Sequence, residues 1–321
     1  MHPHAQQSNA KLANLRHLRG SDLELVLKAQ HAHWHERLAW DNSNAIDAIR
    51  RLLDQRRLTG LAVLVGGHPV GYSYVLHEGR KAAIGEAFLL PSERTPCLER
   101  TLLETTIIMA SRNPAVKLVG GQLLSMPVFP AVEIATPGTL RVYPRQLMIR
   151  ERQAALPVPR RSNPCMRFLP WTDLQLAAAS ELIQRAYAGH VDASLSPEYR
   201  SVPGARRLLE QIINRGSSGR FLAAAGFVAR QASSPGIGGI CLGSMVGDRV
   251  GHILQLCVAP EWSSAGIGSG LLQRSLDGFK RAGCDAVSLT VTASNERAVR
   301  IYERFGFRIL ARFPSFVWRP A

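Results

Sequence analysis

Apolar residues fall in short blocks separated by glycine, proline and polar clusters. Leu61–Val65 and Val70–Leu76 flank Gly66 and Gly67, the pattern of two strands joined by a tight turn. Ala83–Leu90 is a third block, closed by Pro91. A Leu102–Leu103 pair then opens a helical stretch, and Val116–Leu124 reads as another strand. The order recurs in the second half as Phe221–Arg230, Ile240–Val246, Gly251–Ala259 closed by Pro260, Leu271–Leu272 and Ala286–Thr292. Both leucine pairs begin eleven residues past their proline. Each half also opens alike: Leu15–Leu18 precedes Ser21-Asp22-Leu23, and Met166–Leu169 precedes Thr172-Asp173-Leu174. We read a short strand and then a capped helix in each, with Ser21 or Asp22 as the first cap. The pattern predicts two copies of one β-α-β-β-β-α-β plan.

The boundaries follow from composition. Residues 1–14 are polar and expected to be mobile, 15–153 hold the first copy, and 165–321 hold the second. Residues 154–164 are rich in Pro and Arg and read as a linker. A chain of 321 residues suits two domains, and a hydrophobic fraction of 46% supplies two cores. The formal charge of +15 attracts polyanions such as nucleic acid, an anionic membrane or a polyphosphate cofactor. The basic residues are scattered arginines without interleaved aromatics, so specific nucleic-acid binding is not expected. Five cysteines at 97, 165, 241, 257 and 284 form no CxxC pair, which argues against a disulfide framework or zinc site. No signal-peptide segment opens the chain and no apolar run is long enough to span a bilayer, so a soluble cytoplasmic protein is expected.

The chemistry concentrates in Leu254–Phe307. An apolar strand runs into Gly266-Ile267-Gly268-Ser269-Gly270, and a helix leaves that turn. Glycines let a ligand approach the backbone closely, and the helix start presents unpaired N–H groups at a positive dipole end. Together they form an anion cradle suited to a pyrophosphate. The turn is neither a dinucleotide fingerprint nor a Walker loop: no acidic ribose ligand follows Val291, and no Lys-Ser/Thr follows the glycines. Asn295, Ala298, Val299 and Tyr302 lie at i, i+3, i+4 and i+7, on one helix face.

The ordered set Val258, Pro260, Trp262, Gly266, Gly268, Leu271, Leu272, Asn295, Ala298, Tyr302, Gly306 and Phe307 resembles the GNAT N-acetyltransferase superfamily. The likeness is strongest over residues 240–317, weaker back to Met166, and weakest over 15–149. It implies an α/β (α+β) protein of two GNAT-like domains, each a mixed, largely antiparallel sheet flanked by helices. It also implies acetyl-CoA or another acyl-CoA as donor, with no metal. Leu256, Cys257 and Val258 would present backbone groups to the pantetheine and thioester. The turn of Ser263, Ser264, Ala265, Gly266, Ile267, Gly268 and Ser269 would hold the pyrophosphate. Asn295 and Ala298 would line the pantetheine arm, and Tyr302 would protonate the departing thiolate. A phenol suits that role because it is protonated at neutral pH. Family members usually carry Arg or Gln where this chain has Ser263. Arg274, Arg297 or Arg300 could compensate.

The acceptor amine must lose a proton, and His252, on the strand leading to Val258, is the candidate base. His190, Asp192 and Tyr199 lie in the extra segment of the second copy and are candidates for acceptor recognition. His31 and His35 are spaced i, i+4, but no third ligand accompanies them, and no metal site is expected. The first copy is expected to lack a usual CoA site. Ungapped, Cys97, Glu99 and Thr101 replace the three glycines, and Pro127 and Pro130 fall where the asparagine–tyrosine helix would be. The resulting expectation is an N-acetyltransferase acting on a small-molecule amine, as a monomer or a homodimer. A protein amine, an RNA-linked amine, or a non-catalytic CoA sensor are the alternatives.

Overall fold

The computed structural model describes residues 10–157, 166–215, 219–231 and 236–321. The chain divides into two compact units, Met1–Pro144 with Arg312–Ala321, and Arg145–Ala311. In order, its elements are β1 (Lys11–Asn14), α1 (Glu24–Leu38), α2 (Ser43–Asp54), β2 (Thr59–Val65), β3 (His68–Glu78), β4 (Lys81–Leu89), α3 (Pro96–Ser111), β5 (Leu118–Gln122) and β6 (Gly138–Glu151). Then come β7 (Met166–Pro170), α4 (Leu176–Ala186), the single turn α5 (Asp192–Leu195), α6 (Val202–Glu210), β8 (Arg220–Phe221), β9 (Phe227–Gln231) and β10 (Ile237–Gly247). The chain closes with β11 (Val250–Val258), α7 (Ile267–Arg281), β12 (Ala286–Thr292), α8 (Glu296–Arg304) and β13 (Arg308–Pro320).

The first unit's sheet runs β1-β2-β3-β4-β5-β13, and among the described residues only β4 and β5 pair in parallel there. The second runs β6-β12-β11-β10-β9-β7, with β8 also on β10, and among the described residues only β11 and β12 are parallel there. Each unit is a largely antiparallel sheet flanked by helices.

Four sequence readings are corrected. Lys11–Asn14, placed in the mobile terminus, pairs with Ala62 and its neighbours as strand β1. Leu15–His17, read as strand, is a 3-10 turn, because the Asn14 side chain accepts the Arg16 N–H and Leu15 drops fully into the core. The α1 helix starts later than expected, since Asp22 accepts the Arg19 N–H and shapes a preceding 3-10 turn. The expected strand Phe221–Arg230 breaks at Ala223–Ala225. That turn packs on α7, where Ser275 donates to the Ala225 carbonyl at 2.9 Å.

The unit boundaries also differ from those read in the sequence. Residues 145–153 belong with the second unit, and 312–321 with the first. The pairing partners explain this. Arg145–Glu151 lies along β12, whereas Ser315–Trp318 lies along β5. Phe316 and Trp318, almost wholly buried, fill the first unit's core. Cys165 and most of the linker fall outside the described residues.

The α7 helix shows how the second core forms. Ile267, Leu271, Leu272, Ser275, Leu276 and Phe279 are buried along one face. Phe279 presses on β11 at Gly251, where an added Cβ would lie 2.3 Å from the ring. Glycine is required there by this close approach.

Candidate functional site

In the second unit the parallel pair β11–β12 is in register only from Val250 with Ala286 to Ile253 with Leu289. Beyond those residues the two strands part. On its other side β11 stays paired with β10 as far as Val258 with Gly239, after a register shift at Leu242/Gly243. The main chain of Leu254–Val258 therefore has one edge in the sheet and one facing the opening. Leu256 and Val258 pack toward the α7 core, and Cys257 is buried toward the α4 core.

At the end of β11 the chain turns through Ser263, Ser264 and Ala265 into α7. Ser264 has φ +67° and Gly266 φ +79°, both left-handed. A Cβ at Gly266 would meet nothing within 4 Å, so the glycine answers to the backbone angle and leaves open space above the turn. Gly266 is the N-cap of α7 and no side chain caps this end. The first N–H groups of a helix have no partners inside it, so an uncapped start offers several donors at a positive dipole end. These residues fit an anionic diphosphate.

Asn295 caps α8 by accepting the Ala298 N–H at 3.2 Å. Tyr302 lies on that helix, buried, with its phenol pushed upward first by burial and then by Cys241, Asp192 and Cys257 nearby. It stays protonated at neutral pH. Arg150 of β6, itself buried, fixes the far end of α8 by donating from Nε to the Phe305 carbonyl at 2.7 Å.

The acceptor candidates come together on the α4 side of β11. The Asn295 side-chain amide is 3.2 Å from His190 Nε2. The Asp192 N–H donates to His190 Nδ1 at 3.1 Å, and Thr292 Oγ1 donates to the Asp192 carboxylate at 2.5 Å. Tyr199 donates to Gln255 Oε1 at 3.2 Å, while Gln255 Nε2 donates to the Tyr187 hydroxyl at 2.8 Å. The two phenol rings stack, with centroids 4.0 Å apart. Arg145 of β6 reaches Thr292 at 3.1 Å, Thr290 at 3.3 Å and Asp192 at 3.4 Å. Sequence reasoning missed Tyr187, Gln255 as a partner, and Arg145. Tyr187, three residues before His190, was the available signal; nothing local marked Arg145.

His252 is placed differently. It is 4% exposed, its Nδ1 is 2.8 Å from Ser288 Oγ, and its pKa is lowered to about 3, by burial and then by Arg145. Such a ring is neutral over the physiological range and holds a proton poorly.

The first unit gives an internal contrast. Its β4–β5 pair also parts, after Ile84 with Gly121. The opening is filled by Glu86, which accepts from Gln30 at 3.0 Å, Trp34 at 3.1 Å, Ser125 at 3.1 Å and the Ala87 N–H at 2.9 Å. Burial raises this carboxyl, and those donors oppose the rise. The start of α3 is capped by Thr95, which accepts the Leu98 N–H at 3.2 Å, and Glu99 of its first turn pairs with Arg94 at 3.1 Å. No helix lies between β5 and β6. His31, in α1, bonds Asn42 through Nδ1 at 2.8 Å.

The second unit thus combines a parted parallel pair, an uncapped glycine turn and an asparagine-capped helix with a buried tyrosine. Residues 198–307, about a third of the chain, match the acetyltransferase (GNAT) family model. A mycothiol acetyltransferase of Acidimicrobium ferrooxidans is 39% identical over 70 residues, 22% of this chain and 23% of that protein. The chain thus matches less than a quarter of that relative's length. Two solved structures share the fold over nearly the whole chain. A GCN5-related N-acetyltransferase from Sphaerobacter thermophilus has a TM-score of 0.65 at 18% identity, covering 99% of this chain and 98% of its own. A tandem GNAT protein from the clavulanic acid biosynthesis pathway has a TM-score of 0.57 at 14% identity, covering 96% and 98%.

Proposed function

We propose that this protein is an acetyl-CoA-dependent N-acetyltransferase whose active unit is Arg145–Ala311 and whose acceptor is a primary amine on a small molecule. The observation that carries this reading is the uncapped Ser263–Ser269 turn at the parted strands, in one unit with the Asn295–Tyr302 helix. Bound acetyl-CoA supplies a thioester carbonyl as the acyl donor. The open edge of Leu254–Val258 binds the pantetheine arm in the manner of an added strand. The α7 N–H groups hold the diphosphate. Tyr302, kept protonated by burial, donates its phenolic proton toward charge developing on the thiolate sulfur.

The acceptor enters on the α4 side, where His190, Asp192, Tyr187 and Tyr199 offer one carboxylate, one imidazole and two phenols. Asp192 suits the attraction of an ammonium, and the amine attacks once it has lost its proton. His252 holds a proton too weakly to take one from an ammonium, whereas His190, with its side chain 29% exposed, is better placed as the base. The first unit, its opening filled by Glu86, acts structurally. The name of the Acidimicrobium relative supports a small-molecule acceptor. The four described cysteines are unpaired, which suits a reducing cytoplasm. No helix among the described residues is long and apolar enough to cross a membrane.

The test is a panel of amine acceptors with acetyl-CoA, followed by free-thiol release. Product should appear with at least one amine, and Tyr302→Phe should lower turnover about tenfold or more with CoA affinity largely kept. Binding of acetyl-CoA without thiol release across a broad panel would leave a CoA sensor instead.

A further inference from the structure

Arg297 stands in the first turn of α8, two residues after the Asn295 cap. Its guanidinium bridges back to the phosphate-loop candidate. Nη1 donates to Ser263 Oγ, and Nη2 lies 3.4 Å from Ser264 Oγ. Arg274 and Arg300 are engaged elsewhere. Arg274 lies 3.9 Å over the Phe168 ring and donates to the Gly270 carbonyl, and Arg300 pairs with Glu296 at 2.9 Å. Arg297 pairs with no carboxylate among the described residues. Two neutral hydroxyls thus hold an exposed cation at the mouth of the turn. Hydroxyls orient a guanidinium without cancelling its charge, and Ser264 keeps a left-handed backbone, φ +67°, in doing so. The uncapped N–H groups of α7 follow directly in the chain. Fixed donors and a fixed cation around one open turn are a phosphate-binding arrangement.

We propose that Arg297 is the side-chain cation of the cofactor site, binding a phosphate of the CoA nucleotide from the α8 side. This rests on the proposed acyl-CoA reading. It also joins phosphate binding to cofactor orientation, because the same helix carries Asn295 and Tyr302. When a phosphate arrives, the guanidinium exchanges its serine hydroxyls for charged oxygens, a charge-assisted pair that is stronger than the one it gives up.

The experiment measures binding of CoA, 3′-dephospho-CoA and pantetheine by calorimetry to the full chain, with no acceptor present. Arg297→Gln should weaken CoA binding about tenfold or more and flatten its salt dependence, with Arg297→Lys in between. Pantetheine, which carries no phosphodiester or 3′-phosphate, should bind both proteins equally. A loss for CoA that disappears with 3′-dephospho-CoA assigns the contact to the 3′-phosphate, and a loss that persists assigns it to the diphosphate; both support the proposal. Ser263→Arg places a guanidinium where that of Arg297 now reaches, and should restore affinity in the Arg297→Gln background. Arg297→Gln binding CoA as tightly as wild type would overturn the proposal. So would a weakening that pantetheine shares in full, which would mark a structural role. Wild-type protein that binds none of the three would instead sink the acyl-CoA reading itself.

Discussion

The neutral His252 gives the fold a calculable acid sensitivity. Its ring sits on β11 with 4% exposure, and burial lowers its pKa from 6.5 to about 3. In the unfolded chain the same ring binds a proton near its ordinary value. The unfolded state therefore binds more protons wherever the pH lies between the two values, and stability falls as the pH drops through that window. The contribution is complete above pH 6.5 and is lost progressively toward pH 3. Between pH 7 and pH 5 the loss from this one group is about 2 kcal/mol, from one pKa unit being roughly 1.4 kcal/mol. The perturbation is His252→Gln, which keeps a polar group opposite Ser288 and removes the titration. Urea unfolding at pH 7 and pH 5 reads the difference, since the other titrating groups are common to both proteins. Wild type should lose about 2 kcal/mol more than the variant over this interval. Equal losses would show that His252 is not held neutral in the fold, and the case for removing it as a base would fall with that result.

Two further outcomes follow from packing and backbone geometry. Phe279→Ala removes a fully buried ring seated on Gly251 and Gly243, and should cost about 3–5 kcal/mol in chemical denaturation. Gly266→Ala meets no neighbouring atom but must hold φ +79°. It should cost about 1–2 kcal/mol of stability, and its methyl, projecting into the open space over the turn, should weaken CoA binding beyond any change in unfolding midpoint.

Much of the second unit is legible in local sequence because its parts are locally encoded. The glycine turn follows from backbone freedom, the buried stripe of α7 from helical spacing, and the Asn295 cap from its position before Ala298. The doubled plan is legible for the same reason: each strand–turn–strand block carries its own periodicity. The strands β6 and β13 were missed. In β6, Arg141, Tyr143 and Arg145 break the apolar pattern, although Phe313, Phe316 and Trp318 in β13 offered a strand signal.

The sequence alone determined the GNAT likeness, the repeated strand–turn–strand blocks of each copy, and the turn and helix expected to hold an acyl-CoA. Only the tertiary structure decided which chain segments complete each sheet. It gave Arg145 and Arg150 to the second unit through β6, and Phe316 and Trp318 to the first through β13. It also set His252 in a dry interior, gathered His190, Asp192 and the two tyrosines, and brought Arg297 to Ser263. The physical reason is range. Helix starts, turns and periodicity depend on neighbours a few residues away, whereas strand partners, burial and charge placement depend on residues dozens of positions apart. Arg297 lies 34 residues from Ser263, and Arg145 lies 147 from Thr292.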